Sequence, residues 1–113
     1  MAKCFVYSIE LFDCDSAALD ESALVKNLLT EFCSRCGLTI LKTTSHRFKP
    51  QGLTTVFVLS ESHIAYHSWP ERGYAAIDFI SCREVKKIKT HANWAQKQLS
   101  SKRVKLGSYR REF

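Results

Sequence analysis

The chain has 113 residues, of which 45% are hydrophobic and 25% are charged. This composition is typical of one globular domain, and it excludes a disordered protein. The formal net charge is +6 at pH 7, and the excess of basic residues falls after residue 61. Because no nucleic-acid-binding motif with interleaved aromatic residues accompanies this charge, we interpret it as a solvated helix face and a basic tail.

Membrane and secreted classes are also disfavoured. No apolar run is long enough to span a bilayer, and the first residues lack the apolar core of a signal peptide. The five cysteines are an odd number without the spacing of a disulfide framework, which indicates a reducing compartment. We therefore expect a cytoplasmic protein that binds neither membranes nor nucleic acid.

The first third of the chain is predicted to form a strand and a helix. Residues 4–11 alternate apolar and polar side chains, as a half-buried strand does, and a turn follows. Residues 21–36 carry apolar side chains at helical spacing. Asp20 is the predicted N-cap of this helix, and Gly37 stands where a helix commonly ends.

The remainder of the chain is predicted to be mostly strands, with one more helix. The predicted strands cover residues 38–45, 53–60, 64–69, 74–80 and 103–110. Residues 53–60 are nearly all β-branched or apolar, so this strand is expected to be covered on both faces. Ser81 and Glu84 have the spacing of a capping box, which predicts the start of a second helix.

These elements predict an α+β fold for a single domain spanning residues 1–113. The expected architecture is a two-layer α/β sandwich, with two helices on one face of a mainly antiparallel sheet. The other face of the sheet needs cover, which a partner subunit could supply.

Nucleophilic and acid–base side chains are concentrated between residues 45 and 82. Ser62 and His63 stand at the junction of two predicted strands, and His67 and Cys82 follow five and twenty residues after Ser62. A hydroxyl, an imidazole and a thiol at strand ends can supply nucleophilic and acid–base catalysis. These residue types alone do not distinguish a catalytic site from residues with structural roles.

Other kinds of site have weaker support. Cys33 and Cys36 form one C-x-x-C pair without further suitably spaced ligands, so neither a metal site nor a thioredoxin-like site is predicted. Their position near the end of an amphipathic helix fits a core contact equally well. The four glycines are isolated, so no phosphate-binding loop is predicted.

Four motifs and a cysteine follow one another in this region. They are SHRFKPQG at 45–52, LSESHI at 59–64, HSWPE at 67–71, GYAAID at 73–78, and Cys82. In combined order and spacing they resemble the short prokaryotic type of S-adenosylmethionine decarboxylase proenzyme, a family of pyruvoyl-dependent enzymes. The combination is far more specific than any one motif.

The resemblance implies a chain that cuts itself. Ser62 corresponds to the serine that attacks the carbonyl of Glu61, which would divide the chain into a beta chain, 1–61, and an alpha chain, 62–113. Ser62 would thereby become a covalent pyruvoyl group. His67 corresponds to the processing histidine, and Thr54 to a position where relatives often carry a hydroxyl residue implicated in processing.

The resemblance also implies roles in decarboxylation. Removal of carbon dioxide from an α-amino acid leaves an electron pair that no ordinary side chain absorbs, and the pyruvoyl carbonyl accepts it. Cys82 corresponds to the acid that then protonates the substrate. Phe48 corresponds to the aromatic residue that stacks on adenine, and Glu71 to the residue that binds the ribose hydroxyls. Trp69 is expected to form a wall of the pocket.

The implied substrate is S-adenosylmethionine, and the product would be the aminopropyl donor for spermidine biosynthesis. A homodimer with active sites shared between protomers is implied as well. Arg83 departs from the family, whose members usually have glycine after the cysteine. Two alternatives stay open, a pyruvoyl decarboxylase of arginine or ornithine and an inactive regulatory relative. Phe48 and Glu71 argue against the first, and retention of the processing and catalytic residues argues against the second.

Overall fold

The computed structural model describes residues 2–113. The elements in chain order are β1 (Lys3–Phe12), α1 (Ser16–Leu19), α2 (Ser22–Cys36), β2 (Ile40–Arg47), β3 (Leu53–Leu59), β4 (Ser62–Trp69), β5 (Tyr74–Ser81), α3 (Ile88–Gln98) and β6 (Arg103–Glu112). A 3₁₀ turn, Pro70–Arg72, connects β4 to β5. Across residues 2–113, no helix has the length and apolar character required to cross a membrane.

The six strands of this region form one sheet in the order β2-β3-β4-β5-β1-β6. Every neighbouring pair is antiparallel. Consecutive hairpins join β2 to β5, while β1 lies between β5 and β6. The helices cover one face of the sheet, so the predicted α+β two-layer sandwich is confirmed.

The alternation of side chains along each strand determines which residues are buried against the helices. On β1, Tyr7, Ile9 and Leu11 are buried against the helices, and the residues between them point to the other face. On α2, the apolar stripe includes Leu29 and Phe32, both fully buried. Burying a large apolar side chain of this kind stabilises a fold by about 1.5–3 kcal/mol.

The second face of the sheet is open in the single chain. Leu53 and Phe57 on β3 are fully buried under the helices, whereas Val58 on the open face is 45% exposed. The prediction that β3 is covered on both faces is therefore wrong for the single chain. β-branched residues favour strands whether or not their face is covered, so a run of them does not establish burial on both sides.

The predicted helix ends were partly wrong. α2 begins at Ser22, and its N-cap is Glu21 rather than the predicted Asp20. Asp20 is instead the C-cap of α1. This short helix lies where only a turn was expected, and Asp15 caps it by accepting a hydrogen bond from the Ala17 backbone nitrogen at 3.2 Å. Gly37 ends α2 as predicted, in the left-handed conformation with φ 73°.

The predicted capping box does not start a helix. Ser81 Oγ accepts a hydrogen bond from the Arg83 backbone nitrogen at 3.3 Å, which makes a local turn. α3 begins only at Ile88, after Lys87 in the left-handed conformation. The S-x-x-E pattern therefore marks a loop that carries Cys82.

Candidate active site

The predicted cleavage bond lies in the tight turn between β3 and β4. Ser62 is the first residue of β4, and its φ of 155° lies in a region that residues other than glycine rarely adopt. Its hydroxyl oxygen is 3.2 Å from Nδ1 of His63. Backbone strain of this kind costs on the order of 1–3 kcal/mol and is often found at functional sites.

Cys82 lies directly against this turn. The loop after β5 carries it, and because β4 and β5 are antiparallel, the end of β5 lies beside the start of β4. The Cys82 Sγ donates a hydrogen bond to the carbonyl oxygen of Glu61 at 3.5 Å. The thiol therefore contacts the carbonyl of the predicted cleavage bond.

The Glu61 side chain anchors the same turn. Its Oε1 accepts a hydrogen bond from the Thr39 backbone nitrogen at 3.0 Å, and the Thr39 carbonyl accepts one from Ser60 at 3.0 Å. The bond to Thr39 is the main reason that the pKa of Glu61 is held below its usual value, and the positive charge of Arg83 acts in the same direction. The carboxylate is therefore ionised at neutral pH.

A second group of predicted site residues surrounds a pocket of about 600 Å³. The pocket is lined by Phe48, Lys49, Pro50, Gln51, Gly52, Thr54, His67, Ser68, Trp69 and Glu71. This set contains all three residues predicted to bind substrate. Phe48 is 48% exposed, and its ring contacts the His46 ring edge-on, with ring centroids 4.7 Å apart. An exposed aromatic face at a pocket rim can stack on a planar ligand.

His67 and Thr54 form a pair in this pocket. They are directly opposite residues on β4 and β3, and Nδ1 of His67 is 3.0 Å from the Thr54 hydroxyl oxygen. The His67 ring lies 6.3 Å from the Trp69 ring, which in turn lies 5.4 Å from the Tyr74 ring. The hydrogen bond and the neighbouring rings orient the imidazole on the open face of the sheet.

The structure thus separates the predicted site residues into two groups. The cleavage cluster consists of Glu61, Ser62 and Cys82; the pocket cluster consists of Phe48, Thr54, His67, Trp69 and Glu71. Ser62 and His67 are five residues apart on the same strand, which corresponds to about 17 Å at ~3.3 Å per residue. One chain therefore does not bring the predicted nucleophile and the predicted base together.

Asp20 supports the pocket, although no sequence motif indicated it. Its Oδ1 accepts a hydrogen bond from the Gly52 backbone nitrogen at 3.0 Å, and its Oδ2 pairs with Arg47 at 3.1 Å. Arg47 also donates to the Asp20 carbonyl at 2.8 Å and to the Ser22 hydroxyl at 2.7 Å. This network fixes the loop 48–52, which forms one wall of the pocket. No local pattern could reveal it, since its partners are far apart in sequence.

The C-x-x-C pair belongs to neither cluster. Cys33 is buried and Cys36 is half-buried, and both thiols are free. Burial raises the pKa of each to about 12, so both stay protonated at neutral pH. Among residues 2–113, no three His, Cys, Asp or Glu side chains are grouped in a way that could hold a metal ion.

Comparison with known proteins identifies the class of enzyme and then the family. The solved structure of the adenosylmethionine decarboxylase from Aquifex aeolicus superposes with a TM-score of 0.83, at 27% sequence identity, over 96% of this chain and 89% of that one. The protein is therefore in the class of the decarboxylases, which are carboxy-lyases. A family model described as S-adenosylmethionine decarboxylase matches residues 6–112. The chain belongs to the S-adenosylmethionine decarboxylase family.

Named relatives agree with this assignment. An S-adenosylmethionine decarboxylase proenzyme from Prochlorococcus marinus is 38% identical over 104 residues, which cover 92% of this chain and 83% of the relative. A protein of the same description from Methanococcus aeolicus is 50% identical over 76 residues, covering 67% of this chain and 65% of the relative. The predicted family is confirmed.

Proposed function

We propose that this chain is a proenzyme that cuts itself between Glu61 and Ser62 and then decarboxylates S-adenosylmethionine with a pyruvoyl group formed from Ser62. The observation that carries the proposal is the contact of the Cys82 thiol with the Glu61 carbonyl, next to a serine in strained geometry. Family membership supports the substrate. The product would be the aminopropyl donor for spermidine biosynthesis.

Self-cleavage uses the hydroxyl of Ser62 as nucleophile. The oxygen bonds to the Glu61 carbonyl carbon, the peptide C–N bond breaks, and the Ser62 nitrogen takes a proton to become a free amine. A base then removes the Ser62 α-proton, and the Cβ–O bond breaks to release residues 1–61 with a new carboxylate. The dehydroalanine left at position 62 reacts with water, which releases ammonia and leaves the pyruvoyl group.

The residues around position 62 fit such a group. It would stand at the start of β4, at a residue that is half-buried, and Cys82 would lie beside it. When present, the group supplies a carbonyl that accepts the electron pair left by decarboxylation. Cys82 then delivers a proton to the substrate α-carbon, a step for which a positioned general acid typically contributes about 10²–10⁴-fold.

The pocket cluster supports recognition of the adenosyl part of the substrate. Phe48 offers an exposed ring for stacking on adenine and for attraction of the sulfonium charge. Glu71 offers a carboxylate that can accept hydrogen bonds from two ribose hydroxyls. Trp69, which is 43% exposed, extends the apolar wall between these groups. A free amino acid has neither adenine nor ribose to use these residues.

A homodimer would complete the active site. A base must lie within about 2.6–3.2 Å of the atom that carries the proton it removes, whereas His67 lies about 17 Å from Ser62 along β4. A two-fold axis would place the pocket cluster of one protomer against the cleavage cluster of the other. The open face of the sheet, with Val58 and Trp69 exposed, supports this arrangement. The partner's His67, oriented by its Thr54, would then serve as the base in cleavage.

A cytoplasmic location is also proposed. Cys4, Cys14, Cys33, Cys36 and Cys82 are all free thiols. Free thiols persist in a reducing compartment, which would keep a catalytic thiol at position 82 reduced. An exposed Cys82 would be vulnerable to oxidation elsewhere.

Replacement of Cys82 by alanine is expected to affect decarboxylation far more than cleavage. We expect a Cys82→Ala chain to be cut at the same bond, because Ser62 and His67 are retained, but more slowly, because the hydrogen bond from the thiol to the Glu61 carbonyl is lost. The cut enzyme should lose about 10²–10⁴-fold in kcat. Intact mass reports the cleavage, and release of carbon dioxide reports turnover. Cys36→Ala, which removes a protonated thiol outside both clusters, is the control. Full turnover by a completely cut Cys82→Ala chain would contradict the assigned role.

Replacement of Phe48 by alanine tests adenine stacking. Loss of a base–aromatic stack costs about 1–3 kcal/mol, so we expect KM for S-adenosylmethionine to rise roughly 5- to 150-fold with a smaller change in kcat. Phe113→Ala is the matched control, since Phe113 is 75% exposed at the end of the chain and outside the pocket. Equal KM values for the two variants would remove Phe48 from the binding site.

The substrate itself can be tested with the matured protein. Carboxyl-labelled S-adenosylmethionine, arginine and ornithine are incubated separately, and labelled carbon dioxide and product mass are measured. We expect release from S-adenosylmethionine alone. Release only from a free amino acid would favour the related amino-acid decarboxylase, and no release by a fully cut protein would favour a regulatory relative.

A further inference from the structure

The segment Gly37–Thr39, which joins α2 to β2, contacts both sides of the cleavage cluster. Thr39 binds the turn with both of its backbone groups. Its carbonyl accepts a hydrogen bond from the Ser60 nitrogen, and its nitrogen donates one to the Glu61 carboxylate, both 3.0 Å long. The Gly37 carbonyl oxygen accepts a hydrogen bond from Nη2 of Arg83 at 3.0 Å. One short segment therefore holds the residue before the predicted cleavage bond and the residue after Cys82.

The 37–39 segment is itself well fixed. Gly37 closes α2 in the left-handed conformation, where its backbone nitrogen binds the Ser34 carbonyl at 3.2 Å. The Leu38 nitrogen binds the Cys33 carbonyl at 2.8 Å, and the Leu38 side chain is buried in the core. Hydrogen bonds of this kind satisfy the last carbonyls of a helix. The segment is therefore a rigid support for groups attached to it.

The loop that carries Cys82 is anchored at two places. Towards α3, the Val85 side chain is buried in the core and its backbone nitrogen binds the Tyr7 hydroxyl at 2.9 Å. Next to Cys82, the hydrogen bonds to other segments of the loop and of the chain are made by Arg83, to Ser81 and to Gly37. The guanidinium of Arg83 also lies close enough to favour the charged form of Glu61. Loss of this side chain would free Cys82 to move away from the Glu61 carbonyl, which it contacts at 3.5 Å.

We propose that Arg83 is a positioning residue, which holds the Cys82 thiol at the Glu61–Ser62 bond by binding the carbonyl of Gly37. The inference rests on the proposed self-cleavage and deepens it. After cleavage, Gly37 would belong to the beta chain and Arg83 to the alpha chain, so the same hydrogen bond would join the two products. Arg83 would then continue to hold Cys82 during decarboxylation.

The test follows self-cleavage of the full chain made by cell-free synthesis, with Arg83 replaced by alanine or lysine. A hydrogen bond to a charged donor contributes enough for its loss to slow cleavage about tenfold in Arg83→Ala. Arg83→Lys, which retains a cationic donor, is expected to restore most of the rate. In the matured Arg83→Ala enzyme, kcat should fall while KM for S-adenosylmethionine stays constant. Arg110→Ala, on the exposed edge strand β6, is the control.

The outcomes are distinct. Slower cleavage, rescue by lysine and an unchanged thermal unfolding midpoint would support the positioning role. Arg83→Ala cleavage at the wild-type rate would overturn it and leave the proposed function intact. Slower cleavage with an equal loss of thermal stability and no rescue by lysine would also overturn it, in favour of a purely structural role. A wild-type chain that stays whole would overturn the proposed function and this inference together.

Discussion

A Ser62→Ala chain is expected to stay whole and to release no carbon dioxide from S-adenosylmethionine. Without the hydroxyl, nothing attacks the Glu61 carbonyl, and no pyruvoyl group can form at position 62. The loss of activity should be complete rather than partial, because no other residue supplies an equivalent electron acceptor. Intact mass after denaturation and a carbon dioxide assay measure the two effects on one sample.

A nearby hydroxyl provides the control for this prediction. Ser60→Ala removes a serine from the same turn, two residues before Ser62, and we expect that chain to be cut between residues 61 and 62. Ser62→Ala should still unfold in a cooperative thermal transition, since alanine lacks only the hydroxyl oxygen and, like serine, carries a Cβ at the position where φ is 155°. Cleavage of Ser62→Ala at the same bond would exclude Ser62 as the nucleophile. Decarboxylation by the whole chain would exclude a pyruvoyl group formed from it.

Two inactive chains are expected to restore activity when they form a mixed dimer. Ser62→Ala lacks the proposed nucleophile, and His67→Ala lacks the proposed base, so each proposed homodimer should stay essentially uncut. In a mixed dimer, one site combines Ser62 of the His67→Ala chain with His67 of the Ser62→Ala chain. That site carries both native residues, because the two clusters of one protomer would serve different active sites.

The expected recovery can be stated as a fraction. If the chains pair at random, half of the dimers are mixed and each has one working site of two, so about a quarter of wild-type activity should return. Different affinity tags on the two chains allow the mixed dimers to be isolated, and intact mass should show cleavage of the His67→Ala chain alone. Isolated mixed dimers with neither chain cut would contradict a site shared between protomers.

Local sequence patterns predicted most of the fold because the spacing of apolar residues follows which side chains are buried. The alternation of residues 4–11 and the helical spacing of residues 21–36 reflect which side chains face the core, and both elements are present. The start of α3 was wrong because the S-x-x-E pattern at Ser81 forms a turn in a loop. A capping signal identifies residues that can satisfy backbone groups, but it does not establish that a helix follows.

The candidate site shows where local patterns stop being informative. Motif order identified Phe48, His67 and Glu71, and these residues do line one pocket. The contacts that fix the site are between distant segments, such as Gly52 with Asp20 and Thr39 with Glu61. Such pairs depend on how the strands and helices pack, so neither spacing nor residue type reveals them. The separation of the two clusters along β4 was likewise apparent only in the folded chain.

The intact mass of the purified wild-type protein, measured after denaturation, tests the central claim most directly. The proposed function predicts two chains, residues 1–61 and residues 62–113, with the second lighter by one ammonia than its sequence requires. A fragment 62–113 with an unmodified serine would indicate ordinary hydrolysis and contradict formation of a pyruvoyl group. A single chain that stays whole on long incubation would contradict self-cleavage itself.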